Sequence, residues 1–155
     1  MRHGKSSWDY DVQDKDRPLQ ERGINDAILV SRHVKDQFKT PDAIFASPAN
    51  RALHTCMIFV RECNIELSKV KITDEVYDFD GDSVIRFMKK LDESYKNVMI
   101  FGHNHAFTSI SNIFGNKSID NLPTSGLVSL TFDVDKWEDI TSGSTERIIF
   151  PKQLK

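Results

Sequence analysis

Short uncharged apolar runs alternate with segments whose apolar residues recur every three or four positions, and this alternation restricts the chain to an α/β fold. Ala43-Ile44-Phe45-Ala46 and Val98-Met99-Ile100-Phe101 are such runs, with the character of strands buried on both faces. Ile24, Ala27, Ile28, Ser31, Val34 and Phe38 follow the helical step and predict a helix over 18–38, with Asp16 as cap, Pro18 in the first turn and Pro41 marking the exit. Ser47-Pro48 predicts the start of a second helix that runs to about Glu62. Val70-Lys71-Ile72 reads as a further strand, and Asp82 as the cap of a helix carrying Val84, Ile85, Phe87, Met88 and Leu91. Residues 106–114 form a short helix, and Val128–Phe132 and Arg147–Phe150 late strands around a polar turn at Thr141–Ser144. The expected architecture is a single domain over 1–155, with three α/β/α layers and a mostly parallel sheet.

Composition narrows the partners. A formal net charge of −2 argues against binding nucleic acid through bulk positive charge, so an anionic ligand must be held by a few local cations. No apolar run approaches the roughly 18 residues that span a bilayer, and the opening residues are polar and charged. Neither a membrane nor a nucleic acid is therefore an expected partner. Cys56 and Cys63 fall on one helix about 10 Å apart along its axis, too far for a disulfide, and are expected as buried thiols in a reducing cytoplasm.

In an open α/β sheet, ligands bind beyond the carboxyl ends of the strands. Three polar clusters occupy such places: Arg2-His3-Gly4-Lys5, Ser47-Pro48-Ala49-Asn50-Arg51 and Gly102-His103-Asn104-His105. Their residue types suit phosphoryl transfer, which needs positive donors around the non-bridging oxygens and a nucleophile in line with the leaving group. Arg2 and Arg51 supply planar forks for phosphate oxygens. His3 is the candidate nucleophile, with Gly4 permitting close backbone approach. His103, as an imidazolium facing His3, offsets developing charge. Arg17, Arg22 and Lys5 are candidates for contacting an acidic substrate at the mouth, and Asn104 and His105 for contacting substrate at the pocket wall. His103 and His105 form a His-x-His pair of the kind that binds zinc, but no carboxylate cluster at metal-ligand spacing accompanies it, so a metal is not expected there. His33 and His54 lie within helices as structural or solvent-facing residues.

These residues resemble the histidine phosphatase superfamily, which has the phosphoglycerate mutase-like fold. The resemblance rests on Arg2-His3-Gly4, on Ser47-Pro48 with Arg51, and on Gly102-His103-Asn104. Within that superfamily the closer resemblance is to the short SixA-like phosphohistidine phosphatases, through Arg2 to Trp8, Asp16-Arg17-Pro18-Leu19 with Glu21-Arg22-Gly23, Arg51-Ala52 with Thr55, and Leu122-Pro123-Thr124-Ser125-Gly126. The match spans residues 1 to about 132. It implies a hydrolase without metal or organic cofactor in which His3 is phosphorylated, Arg2, Arg51 and His103 complete the phosphate pocket, and the substrate is a phosphohistidine-bearing protein or a small phosphorylated molecule.

Two departures accompany the resemblance. The family carries a core strand ahead of Arg-His-Gly, whereas only Met1 precedes it here. Met1 is accordingly expected to be an internal residue of a longer product, or else the sheet lacks a central element. Mutase-like members also carry a glutamate general acid, for which Glu75 is the nearest candidate, while short members generally lack it. A site without an acid favours a phosphoramidate, whose nitrogen leaves more readily than an alkoxide. The rival readings are a phosphatase or mutase acting on small phosphate esters, and a phospho-ligand binding module without turnover.

Overall fold

The computed structural model describes residues 1–155. Three parallel strands form one sheet in the order β2-β1-β3: β1 Ala43–Ala46, β2 Val70–Ile72 and β3 Val98–Phe101. β4 Leu127–Thr131 and β5 Ser144–Ile149 form an antiparallel pair, with a register shift between Ser129 and Leu130. Four helices cover the strands: α1 Glu21–Val34, α2 Asn50–Glu62, α3 Asp82–Lys89 and α4 Ala106–Phe114. No helix is long and apolar enough to cross a membrane.

Strand periodicity explains the layering. Ile44 and Ala46 of β1 join Met99 and Phe101 of β3 in a core with Ala27, Val30, Val34 and Phe59 of α1 and α2. The alternate residues Ala43, Phe45 and Val98 face the other side, towards Phe87, Leu91 and Tyr95. There α3 and α4 build a second core from Val84, Met88, Phe107, Ile110 and Phe114. Both faces of β1 and β3 are thus covered, as their uncharged runs predict, while the edge strand β2 carries Lys71 and leaves Ile72 exposed.

The element boundaries differ from expectation mainly at α1, which spans Glu21–Val34 rather than 18–38, and at β5, which spans Ser144–Ile149 rather than 147–150 and so takes Ser144 out of the expected turn. Arg17–Leu19 stay extended because they pair with the N-terminal segment: Ser7 N–H donates to Pro18 O at 2.8 Å, and Ser6 and Leu19 form an antiparallel bridge. Asp16 belongs to a 3-10 turn, Asp14–Asp16, instead of capping a helix. At α3 the carboxylate that receives the first free N–H groups is Asp78, which accepts from Gly81 and Val84 at 3.1 Å each, rather than Asp82. Cys56 is buried and Cys63 half-buried, and both thiols are free. Burial pushes them up to about 12 and about 11, which keeps them protonated and inert.

The first three residues bridge the two groups of strands. Met1 accepts from Gly102 N–H at 3.3 Å and His3 N–H donates to Gly102 O at 3.1 Å. On the other side Arg2 N–H donates to Gly126 O at 2.9 Å, and Ser125 N–H to His3 O at 3.0 Å. Below this bridge β3 and β4 are not paired with each other, and a cavity of about 830 Å³ opens there, lined by Met1, Met99, Ile100, Leu127, Val128 and Leu130 among others. It contains none of His3, Arg51 and His103.

Candidate active site

The bridge places His3 beside the end of β3, where Gly102 leads into His103. The two imidazole rings face one another with centroids 5.3 Å apart. Arg51, in the first turn of α2 just beyond β1, brings its guanidinium to the same crevice. Thr55, one turn further on, ties the two clusters together: its hydroxyl donates to Arg51 O at 2.7 Å and accepts from Gly4 N–H at 2.9 Å. Arg2 anchors on Leu122 O through Nη1 at 2.8 Å. All three polar clusters therefore converge, as the strand-end rule predicts.

His3 has a defined tautomer. Nδ1 lies 2.7 Å from Gly4 O, and since a carbonyl can only accept, Nδ1 carries the proton. The lone pair is then on Nε2. Burial, followed by the charges of Arg51 and Arg2, pushes His3 down to about 4 against the pull of the Gly4 bond. His103 is fully buried. Burial and then the neighbouring His3 and Arg51 push it down to about 3, so both imidazoles are neutral near pH 7 without a bound anion. An imidazolium at His103, expected from the sequence, would need that anion to raise it. His103 Nε2 is 2.8 Å from Ser47 Oγ. Its Nδ1 is buried without a partner, as are Arg2 Nε and Ser125 Oγ.

Arg51 is 2% exposed and already paired. Nη1 donates to Asp14 O at 2.6 Å and Nη2 to Asp14 Oδ2 at 2.9 Å. The Tyr77 hydroxyl donates to the same oxygen, and Arg17 Nη1 to Oδ1 at 3.3 Å. Burial alone would raise the Asp14 carboxyl, but the bonds from Tyr77 and Arg51 and the charge of Arg51 outweigh it and hold it at about 2. Tyr77 and Phe79 close over His103, with ring centroids 5.3 and 5.0 Å from it. Ser47 belongs to one of the strand-end clusters, whereas Asp14, Tyr77 and Phe79 lie outside all three and reach the crevice only through the fold. Asp14 offered one signal, its position three residues before Arg17.

The remaining candidates are placed as follows. Gly4 is glycine because a Cβ would lie 2.7 Å from Gly23 O, so its lack of a side chain serves packing against α1, and its N–H goes to Thr55. Lys5 is exposed beside this contact. Arg17 is buried inside the 6–17 segment: Nε donates to Ser7 O at 3.1 Å, Nη2 to Ser6 Oγ, and its guanidinium lies 3.3 Å from the Trp8 ring centroid. Arg22 is on the exposed side of α1, 3.5 Å from Asp26. Asn104 Oδ1 accepts from Thr108 N–H at 3.0 Å, and its Nδ2 donates to Asn121 at 2.8 Å, which orders the start of α4. His105 and Glu75 are exposed, and neither side chain bonds into the crevice.

Comparison with known proteins gives a consistent result. A model of the histidine phosphatase superfamily, branch 1, matches residues 1–80. An uncharacterized protein of Mycobacterium leprae is 26% identical, over 97% of this chain and 98% of its own length. The protein histidine phosphatase SixA, solved with tungstate, superposes with a TM-score of 0.84 at 23% identity, covering 100% of this chain and 97% of its own. A protein of Agrobacterium tumefaciens assigned as a SixA phosphohistidine phosphatase gives 0.73 at 28% identity, covering 84% and 87%.

Proposed function

Because the chain belongs to the histidine phosphatase superfamily, we propose that it is a phosphatase with His3 as nucleophile, acting on phosphohistidine in proteins. The observation that carries this reading is the His3 tautomer: Nδ1 is pinned to Gly4 O, leaving a neutral, unprotonated Nε2 in a crevice shared with Arg2, Arg51 and His103. The buried Arg2 Nε, His103 Nδ1 and Ser125 Oγ have no protein partner, and a tetrahedral anion would satisfy such groups.

In the first step His3 Nε2 bonds to phosphorus as the bond to the leaving group breaks, with Arg2, Arg51 and His103 holding the non-bridging oxygens. In the second, water attacks phosphorus, the P–N bond to His3 breaks, and inorganic phosphate leaves. The carboxylate nearest Arg51, Asp14, is held ionised and has no proton to give at neutral pH. Glu75 stands on the exposed surface. A leaving group that needs no strong acid, such as the imidazole of a phosphohistidine, suits this site better than an alkoxide.

Rapid quenching without acid, followed by mass spectrometry, should find a transient phosphoryl group on His3, and His3→Ala should abolish turnover while the protein stays folded. An adduct on a serine, threonine or cysteine would overturn the mechanism. Rates on a phosphohistidine peptide and a small phosphomonoester, measured on one sample, decide the substrate: the peptide should be faster. Faster ester hydrolysis would favour the small-ester reading, and phosphate binding without turnover the binding-module reading.

A further inference from the structure

The two segments that border the crevice are strongly and one-sidedly charged. Residues 8–16 hold four aspartates and one lysine, and residues 73–82 hold five carboxylates and no cation. The chain has 23 acidic and 21 basic residues in all, so the rest of the molecule is left with a positive balance. The two segments meet at the site: Tyr77 bonds to Asp14, and Lys15 lies 3.9 Å from Asp74. Lys15 is therefore partly spent on its own neighbours, while Asp9, Asp11, Glu75 and Asp80 stand exposed with no cationic partner within salt-bridge distance. The same segments expose aromatic faces: Trp8 is 75% exposed, Tyr10 62% and Phe79 47%. Beneath this rim His103 is fully buried with Nδ1 unpartnered, and Arg51 is 2% exposed. The site is thus a floor of arginine and imidazole groups under an anionic, aromatic mouth.

We propose that the phosphoryl group is presented on a basic protein segment, with lysine or arginine within a few residues of the phosphorylated side chain. This inference rests on the phosphatase reading and adds the class of carrier. The floor attracts the phosphate itself. The mouth meets what carries it, and exposed charges there act on a carrier over about one Debye length, roughly 10 Å at 0.1 M salt. Carboxylates there attract cationic side chains and repel a carboxylate-bearing carrier, whether an acidic peptide or a small acidic phosphate ester. The exposed phenol of Tyr10 and phenyl of Phe79 add cation–π contacts for the same lysines and arginines, while the Trp8 indole already carries Arg17 on one face.

The test uses two peptides with one phosphohistidine each, flanked on both sides by two lysines or by two glutamates. The lysine peptide should show a KM at least about tenfold lower at low ionic strength, the sum of several exposed charge contacts. Raising salt to 0.5 M should shrink that ratio to roughly twofold or less through screening. The double variant Asp9→Asn, Asp11→Asn should lower the ratio at low salt, with the folded state checked by circular dichroism. Binding of both peptides to His3→Ala protein, followed by Trp8 fluorescence, separates the two readings. Preference for the lysine peptide without turnover in the wild type would sink the phosphatase reading and leave the carrier inference standing. Equal KM and equal affinity for the two peptides, or preference for the glutamate peptide, overturns the inference even if both are hydrolysed.

Discussion

His3 lies close to the chain terminus and is nonetheless fixed, because its N–H, its carbonyl and its Nδ1 each have a bonded partner: Gly102 O, Ser125 N–H and Gly4 O. In-line attack tolerates little positional error, so these bonds matter to the proposed chemistry. Arg51 is fixed in the same way, with both terminal nitrogens used by the backbone and the carboxylate of Asp14. A lysine ammonium cannot reproduce that two-pronged contact while also facing a phosphate. Arg51→Ala should lower kcat/KM by about two orders of magnitude, the effect of removing one pre-organised donor to developing charge. Arg51→Lys should recover little of it. Steady-state kinetics on the two variants checks this, and a near-wild-type rate for the lysine variant would contradict the assigned role.

At the scale of elements, one close contact sets where the segment carrying His3 sits. Gly4 packs against Gly23 of α1, and a Cβ on Gly23 would stand 2.3 Å from Lys5 O and 2.7 Å from Lys5 N. Backbone lies on both sides, so neither can yield without moving the other. Gly23→Ala should therefore cost about 2 kcal/mol through overpacking. For a chain of this length that lowers the melting temperature by roughly 4–8 °C. It should also reduce kcat/KM, because the displaced Lys5 backbone adjoins Gly4 and His3. A scanning calorimetry trace identical to wild type would show that the contact is not the constraint described here.

Over the whole molecule, two features govern stability. The first is the unpaired region between β3 and β4, where the cavity of about 830 Å³ is lined by apolar side chains from both strands. An apolar strand of about five residues engineered ahead of Met1, running parallel to β3, should fill it. Both the melting temperature and the specific activity should rise, the latter because His3 would no longer depend on three bridging residues. No gain in either would show that the cleft does not accept a strand. The second feature is the pair of imidazoles held at about 4 and about 3. Both lie below the unfolded value near 6.5, so as pH falls below 6.5 the unfolded chain binds protons that the folded chain refuses. Stability should be full at neutral pH and fall by on the order of a few kcal/mol by pH 4. Urea unfolding at pH 7 and pH 4.5 measures the loss, and His103→Asn should flatten it.

The sequence by itself determined the α/β class, the strands at 43–46, 70–72 and 98–101, and the three clusters that converge at their ends, because apolar periodicity and strand direction are local properties that burial then enforces. Family membership was legible in the same motifs. Only the tertiary structure decided what each group faces. The late start of α1 followed from pairing between residues 6–7 and 18–19, distant enough in sequence that local capping signals gave the wrong boundary. The neutrality of His3 and His103 followed from burial among arginines, the docking of Asp14 on Arg51 from a loop 37 residues away, and the covering of His103 from Tyr77 and Phe79. Those are through-space relations between segments with no shared period, and a protonation state or a charge pair exists only once the chain has brought its members together.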